Sequence, residues 1–220
     1  LEMALRRLKS TDRFNLVFFN NGFWSYASNP VLATPLEVQR AVKAVRNLKA
    51  DGGTEMYQAL NFSLDNFSET RGVLKQLIFL TDGGVQNENT LFTLISKKLK
   101  NTRLFTIGIG SAPNSYFMSR AAELGRGAHV YIGQTSEVSA RMQELFLKIE
   151  NPAITDLVLK LPINTKAEYY PNPLPDLYFG EPLAIAIKGL KAEDIASIVG
   201  KKGKQDWEID ISLKQSAEHI

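Results

Sequence analysis

The chain has 220 residues, 44% hydrophobic and 22% charged, values typical of a globular protein with a core of normal size. It holds no cysteine and two histidines, which excludes disulfides, thiolate metal sites, a thiol nucleophile and a His-rich zinc site. The 26 basic and 23 acidic side chains nearly balance, so no nucleic-acid partner is expected. No apolar run reaches the roughly 18 residues that would predict a membrane span.

The predicted elements alternate between strands and helices up to about residue 150. Residues 1–9 have helical spacing, and residues 14–19 form an apolar run typical of a strand buried on both faces. An edge strand is expected at 24–27. A helix is expected to begin at Pro35, after Thr34 as its N-cap, and a second helix at Thr54.

The next predicted elements are a strand at 75–81, a helix at 89–100, a strand at 103–109, a helix at 115–124, a strand at 129–132 and a helix at 136–149. This alternation predicts an α/β fold, in which helices cover both faces of a mostly parallel sheet.

The composition changes after Pro152. Four short β-type runs follow, separated by segments rich in proline and glycine, at 154–161, 183–188, 195–199 and 207–213. A hairpin loop is expected at 200–205. We therefore predict two units, an α/β domain over 1–150 and a small antiparallel β unit over 151–220.

Two glycine-containing segments are expected at the carboxyl edge of the sheet, where α/β folds bind their ligands. One is Asp51-Gly52-Gly53-Thr54, and the other is Leu80-Thr81-Asp82-Gly83-Gly84. A hydroxyl and a carboxylate suit a hard cation such as Mg²⁺. The alternative is structural, with Thr54 capping a helix and Asp82-Gly83 forming a turn. Asp51 and Glu55 beside Thr54 are either acids that support such a site or solvated surface charges.

The remaining motifs give weaker indications of a functional site. Gly108-Ile109-Gly110 resembles the start of a dinucleotide fingerprint, but Pro113 stands where the third glycine belongs. No Gly-x-Ser-x-Gly elbow is present, and neither histidine has an obvious serine partner. His129 is expected at the boundary of a strand. Trp24 is either an exposed contact residue or part of a packed edge.

Three segments together resemble the von Willebrand factor type A (vWA) domain in order and spacing. They are Gly52-Gly53-Thr54 with the following Glu-Met-Tyr-Gln-Ala-Leu, Ile78-Phe79-Leu80-Thr81-Asp82-Gly83, and Phe105-Thr106-Ile107-Gly108-Ile109-Gly110. Within that family, the three segments are similar to those of inter-alpha-trypsin inhibitor heavy chains and of bacterial sortase-target-like proteins that carry a vault/inter-alpha-trypsin (VIT) domain upstream. The run 176–183 resembles the segment that follows the vWA domain in those proteins.

The resemblance implies a Rossmann-like three-layer fold with a metal-ion-dependent adhesion site. Thr54 and Asp82 match two ligands of that site, which would hold Mg²⁺, Mn²⁺ or Ca²⁺ in the intact protein. The family's Asp-x-Ser-x-Ser loop and first strand are absent from the sequence, so the chain is expected to be a fragment whose site lacks three of its five side-chain ligands, and whether the fragment itself holds a cation is left open. The family places that strand between 14–19 and 75–81. We expect these two strands to pair directly, or another segment or a second copy of the chain to fill the gap.

The function that follows from the resemblance is non-enzymatic protein binding, in which an acidic side chain of the partner completes the coordination of the cation. The same resemblance implies a cell-envelope or extracellular location; no targeting signal is visible in these residues. A metal-independent assembly scaffold is the main alternative, and an α/β enzyme is the other. A strand-exchanged or edge-paired dimer is a further expectation.

Overall fold

The computed structural model of the chain describes residues 1–49, 52–66, 73–85, 87–110, 113–162, 165–178, 182–191 and 194–212. Its α-helices are α1 (Glu2–Arg7), α2 (Pro35–Arg46), α3 (Met56–Asp65), α4 (Glu88–Lys98), α5 (Ser115–Leu124) and α6 (Val138–Glu150). Its strands are β1 (Arg13–Phe14), β2 (Val17–Phe19), β3 (Phe23–Ser25), β4 (Val31–Leu32), β5 (Lys75–Thr81), β6 (Thr102–Ile109), β7 (His129–Ile132), β8 (Pro152–Lys160), β9 (Glu168–Tyr170), β10 (Leu177–Tyr178), β11 (Ala186–Lys188), β12 (Ile195–Lys202) and β13 (Gln205–Ser212).

A parallel sheet in the order β5-β6-β7 forms the centre of the α/β part. Helices α3, α4 and α5 pack on one face through a cluster that includes Phe79 and Leu104. Helix α6 covers the other face, where Phe105 and Ile107 are completely buried. This is the predicted three-layer α/β arrangement, and β5, α5 and β7 have the predicted bounds.

The strand predicted over 14–19 is wrong in detail, because the run is divided into β1 and β2. The side chain of Asn15 causes the interruption: its Oδ1 accepts hydrogen bonds from the backbone N–H groups of Leu16 and Ala27, and its Nδ2 donates to the Ala27 carbonyl. These bonds replace the regular ladder at that point. β1 pairs antiparallel with β4, and β2 pairs antiparallel with β3, so neither strand belongs to the parallel sheet.

Direct pairing between the run 14–19 and the strand 75–81 is also wrong. Among the described residues, β2 pairs only with β3 and β5 pairs only with β6. The rings of Phe19 and Phe79 bring the two edges together, stacked at 5.5 Å between centroids. Leu77, Ile78 and Leu80 of β5 are consequently half-buried, whereas β6 is buried along nearly its whole length.

The β unit contains a four-stranded antiparallel sheet in the order β10-β8-β12-β13 and a separate pair β9–β11. The strands β8, β11, β12 and β13 correspond to the four predicted runs, and the hairpin between β12 and β13 turns at Gly203-Lys204. β9 and β10 were not predicted, because they flank the proline-rich run 171–175. The division into domains at residue 150 stays a prediction.

The β unit is joined to the α/β sheet by a buried ion pair and an aromatic contact. The Arg103 guanidinium at the start of β6 donates to both carboxylate oxygens of Asp176, at 2.7 and 2.8 Å. The side chain of Asp176 is 0% exposed and that of Arg103 is 3% exposed. The ring of Tyr178 packs against Phe105 at 6.5 Å. The β unit thus contributes to the core beneath the parallel sheet.

His129 begins β7, as expected, and gives stability a pH dependence. Its Nδ1 lies 3.1 Å from Thr106 Oγ1, and its buried Nε2 has no hydrogen-bond partner among the described residues. Burial lowers the pKa of His129, against a smaller opposing effect of the Thr106 backbone. Because the unfolded chain then binds the proton more readily, His129 destabilises the fold as pH falls through its ordinary pKa of about 6.5.

We therefore expect the urea midpoint to fall more steeply between about pH 7.5 and 5.5 in the wild type than in His129→Gln. His219 is retained in both proteins, so the difference between the two curves isolates His129. Parallel curves would contradict the assignment.

Candidate functional site

The loop after β5 begins with two polar side chains in different environments. Thr81 is 7% exposed, and its Oγ1 accepts a hydrogen bond from the Gly83 N–H at 3.2 Å. This bond holds a tight turn at the carboxyl end of the strand. Asp82 is exposed. The turn therefore presents a carboxylate at the edge where α/β sheets bind their ligands.

Thr54 lies in a second loop that is tied to the tip of the β2–β3 hairpin. The Gly53 N–H donates to Asn21 Oδ1 at 2.6 Å, and the Glu55 N–H donates to the Asn20 carbonyl at 2.7 Å. Gly52 has φ +88, a backbone conformation that favours glycine. The sequence analysis did not single out Asn20 or Asn21 as residues of the site. Their place in a turn between two short strands is the signal that could have placed them beside this loop.

The two loops converge at the candidate site. A Cβ atom added to Gly83 would lie 2.6 Å from Thr54 Oγ1, so the Thr54 hydroxyl packs directly against the Gly83 backbone. The structure thus brings Thr54 next to the turn that carries Asp82. The helix predicted to begin at Thr54 begins two residues later, at Met56, with Glu55 as its N-cap. Thr54 is therefore not the capping residue.

Two cavities flank Thr54. One, of about 410 Å³, is lined by Gly53, Thr54, Glu55 and residues of the neighbouring loops, namely Asn21, Gly84 and Val85. The other, of about 80 Å³, lies between the N-terminal ends of α3 and α4 and includes Tyr57, Asn87 and Thr90 in its lining. Thr54 and Glu55 line both cavities. The edge of the sheet is therefore concave where the two loops meet.

The donor set agrees with a hard cation but is small. Thr54 and Asp82 offer oxygen ligands, which Mg²⁺ prefers. Among the residues that the structure describes, no group of three or more His, Cys, Asp or Glu side chains is arranged to hold a metal. Asp51 lies outside the described residues. A cation held by Thr54 and Asp82 would need further oxygen ligands from water or from other protein segments.

Gly83 is expected to be intolerant of a side chain because the Thr54 hydroxyl occupies the space of its Cβ. We predict that Gly83→Ala lowers the free energy of unfolding by about 1 kcal/mol, since Thr54 must leave its rotamer to make room. The matched control is Gly84→Ala, where an added Cβ would meet nothing within 4 Å. Urea unfolding of both variants checks the prediction. Equal stabilities would mean that the two loops do not touch.

The Gly108-Ile109-Gly110 segment has a structural explanation. A Cβ at Gly108 would lie 2.9 Å from the Cβ of Pro113, so this glycine permits close packing of the loop after β6. Trp24 is 45% exposed, and its ring stacks on Phe18 at 5.5 Å. Among the described residues, no helix is long and apolar enough to cross a membrane.

Comparison with known proteins identifies the fold family. The sequence profile of the von Willebrand factor type A domain matches residues 1–131. The chain belongs to the vWA domain family. Domains of this family are generally non-enzymatic protein-interaction modules, and they commonly bind a divalent cation. The family predicted from the sequence is therefore confirmed, and Thr54 and the Asp82 turn lie next to each other in a member of that family.

Two relatives illustrate the range of similar proteins. A von Willebrand factor A domain-containing protein of Dictyostelium discoideum is 25% identical over 186 residues, covering 84% of this chain. The inter-alpha-trypsin inhibitor heavy chain H3 of Rattus norvegicus is 24% identical over 191 residues, covering 81% of this chain. The aligned region covers only 20% and 22% of these relatives. The likeness to inter-alpha-trypsin inhibitor heavy chains is thus confirmed for this region.

Solved structures share the fold beyond the vWA part. A von Willebrand factor type A protein from Catenulispora acidiphila superposes with a TM-score of 0.73 at 18% identity, covering 96% of this chain and 59% of that protein. The ArnB paralog VWA2 from Sulfolobus acidocaldarius gives a TM-score of 0.63, also over 96% of this chain and 57% of its own. Because the coverage extends past residue 150, the combination of a vWA sheet with a β unit recurs in these structures.

Proposed function

We propose that this chain is the protein-binding part of a larger protein and that it acts through a divalent cation held in part by Thr54 and Asp82. The observation that carries the proposal is the contact between Thr54 Oγ1 and the Gly83 backbone beside Asp82. Mg²⁺ or Mn²⁺ would polarise an acidic group of a partner, whose oxygen would complete the coordination. Binding of this kind needs no general base, in accordance with a non-enzymatic role.

The remaining ligands are proposed to come from an Asp-x-Ser-x-Ser loop on the N-terminal side of residue 1. The strand that precedes such a loop would lie between β2 and β5, whose facing edges are unpaired within the described residues. Main-chain groups on such edges stabilise a fold only when they find partners. A cell-envelope or extracellular location for the full-length protein belongs to the same proposal.

Calorimetric titration tests the metal site. Mg²⁺ and Mn²⁺ are titrated into the full-length wild-type protein, into Asp82→Ala and into the control Asp210→Ala, whose carboxylate lies on β13, far along the chain from the site. We expect binding to the wild type and the control, and loss of binding in Asp82→Ala. Absence of binding to the full-length wild type would overturn the metal-dependent function.

A metal-independent scaffold is the second candidate, favoured by the buried Arg103–Asp176 pair that fixes the β unit to the vWA sheet. In that case the two units act as one platform for assembly with other domains. It predicts that Asp82→Ala leaves the affinity for a protein partner unchanged. The metal-dependent proposal predicts that the same substitution removes the partner's binding.

An edge-paired or strand-exchanged dimer remains a proposal for this chain in isolation. β5 offers an unpaired edge among the described residues and carries half-buried apolar side chains. A second copy could pair there, since such edges are templates for strand addition. Sedimentation velocity over a range of concentrations tests this arrangement. A monomer at all concentrations, with cooperative unfolding, would contradict it.

A further inference from the structure

The tip of the β2–β3 hairpin holds a chemically reactive pair of residues next to the candidate site. Asn21 is followed by Gly22, and the sequence contains no other asparagine followed by glycine. A glycine after an asparagine lets its backbone nitrogen approach the side-chain amide, because no Cβ restricts the main chain there. Both residues are exposed, and a Cβ added to Gly22 would meet nothing within 4 Å. Water therefore has free access to this pair.

Hydrogen bonds act on both groups that would react. The Gly53 N–H donates to Asn21 Oδ1 at 2.6 Å, so the carbonyl that takes up negative charge during an attack already faces a donor. The Gly22 N–H donates to Asn20 Oδ1 at 3.2 Å, so the proton of the attacking nitrogen points at an acceptor. The Asn20 N–H donates to the Gly22 carbonyl at 2.9 Å and holds the turn. The fold therefore activates the carbonyl and orients the N–H of this pair.

We propose that Asn21 is a site of spontaneous deamidation and that the change loosens the loop that carries Thr54. The Gly22 nitrogen loses its proton to water and forms a bond to Asn21 Cγ, while the side-chain nitrogen takes up a proton and leaves as ammonia. Water then opens the resulting five-membered ring at either of its carbonyls. Opening at one carbonyl gives aspartate, and opening at the other gives isoaspartate. The net reaction consumes water, releases ammonia and needs no oxidant or cofactor.

The two products differ in their effect on the loop 52–55. Aspartate keeps an oxygen in place of Asn21 Oδ1, and a charged acceptor strengthens the bond from the Gly53 N–H. Isoaspartate places an extra carbon in the main chain of the hairpin tip, so the bond from the Gly53 N–H loses its geometry. The bond from the Glu55 N–H to the Asn20 carbonyl, one residue away, is disturbed with it.

Both products also add a negative charge to the cavity that Asn21 and Thr54 line. The native amide carries no charge, so the electrostatic field at the Thr54 hydroxyl changes with the age of the protein. This consequence does not depend on the proposed function, because the charge and the loop change whether or not the site holds a cation.

The test follows the modification in the full-length protein kept folded at mildly alkaline pH. Peptide mass spectrometry measures the conversion of amide to acid at each asparagine, and an isoaspartyl methyltransferase detects isoaspartate. The internal control is Asn114, which is followed by a serine and whose Oδ1 caps α5 through the Phe117 N–H. The matched variant is Gly22→Ala, whose added Cβ should slow the conversion about tenfold or more without disturbing the fold. A parallel sample in urea gives the rate in the unfolded chain.

We expect Asn21 to convert faster than Asn114, and at least as fast in the folded protein as in urea. Hydrogen exchange at the Gly53 and Glu55 amides should accelerate in the isoaspartate fraction and remain slow in Asn21→Asp, which reproduces the other product. Conversion of Asn21 that is no faster than that of Asn114, or slower in the folded protein than in urea, overturns the proposal. Unchanged exchange at Gly53 and Glu55 in the isoaspartate fraction also overturns it, because the loop would then not depend on Asn21.

Discussion

Asp176→Asn is expected to lower the free energy of unfolding by about 3–5 kcal/mol, because it leaves the Arg103 guanidinium buried beside a neutral partner. Burial by itself lowers the pKa of Arg103. The hydrogen bonds and charges of Asp176 and Asp156 outweigh burial and raise that pKa, so Arg103 remains a cation in the folded protein. Asp176 Oδ1 also accepts from the Asp156 N–H at 3.2 Å, so the substitution disturbs the backbone of β8 too.

The control for this prediction is Asp156→Asn. Asp156 accepts one bond from Arg103 Nη2 at 2.8 Å, and its side chain is 50% exposed. Its backbone has φ +56, which asparagine also tolerates. A loss of about 1 kcal/mol or less is therefore expected. Urea midpoints at neutral pH measure both effects. Equal losses in the two variants would show that burial does not distinguish the two carboxylates.

A double substitution separates the charge from the packing. Arg103→Met combined with Asp176→Leu removes both charges and keeps apolar volume, so it should be more stable than Asp176→Asn alone. If the double variant is the least stable of the set, the Arg103–Asp176 ion pair contributes net stability. If it is more stable than Asp176→Asn, the loss in Asp176→Asn comes from leaving the buried charge of Arg103 unpaired.

The parallel part of the fold could be predicted because each of its strands is a continuous apolar run bounded by turn residues. β5 and β7 have the predicted bounds for this reason, and their order along the chain implied the crossover helices between them. The Asp82 turn could be placed at the carboxyl edge of the sheet because it directly follows β5. Thr54 follows no strand of the parallel sheet, and bonds from its loop to the tip of the β2–β3 hairpin hold it there. The position of Glu55 beside both cavities could not be predicted, because cavity shape depends on loops distant in sequence.

The antiparallel parts were harder to predict, because their strands are short and depend on side chains far along the chain. The side chain of Asn15 interrupts an apolar run through hydrogen bonds to Ala27. No local sequence pattern predicts these bonds. Arg103 and Asp176 are 73 residues apart, so their pairing is invisible to periodicity. The one local sign was a charged residue at the start of an otherwise apolar strand, Arg103-Leu104-Phe105.

Gly127→Ala is also expected to destabilise the fold strongly, lowering the free energy of unfolding by about 3 kcal/mol. A Cβ at Gly127 would lie 2.2 Å from the Leu104 carbonyl oxygen and 2.8 Å from its carbonyl carbon. Both are backbone atoms of β6, the central strand of the parallel sheet, so no side-chain rotation relieves the clash. The loop between α5 and β7 would have to move away from the sheet.

That movement has a specific structural cost. The Leu104 N–H donates to the Gly125 carbonyl at 3.1 Å, and the Thr106 N–H donates to the Ala128 carbonyl at 3.1 Å. Both bonds attach the loop to β6 and are expected to weaken together. Hydrogen exchange at these two amides should therefore accelerate in Gly127→Ala, and the urea midpoint should fall. The control Gly22→Ala, where an added Cβ meets nothing within 4 Å, should change neither. Unchanged protection at Leu104 and Thr106 in Gly127→Ala would show that the loop does not lie against β6.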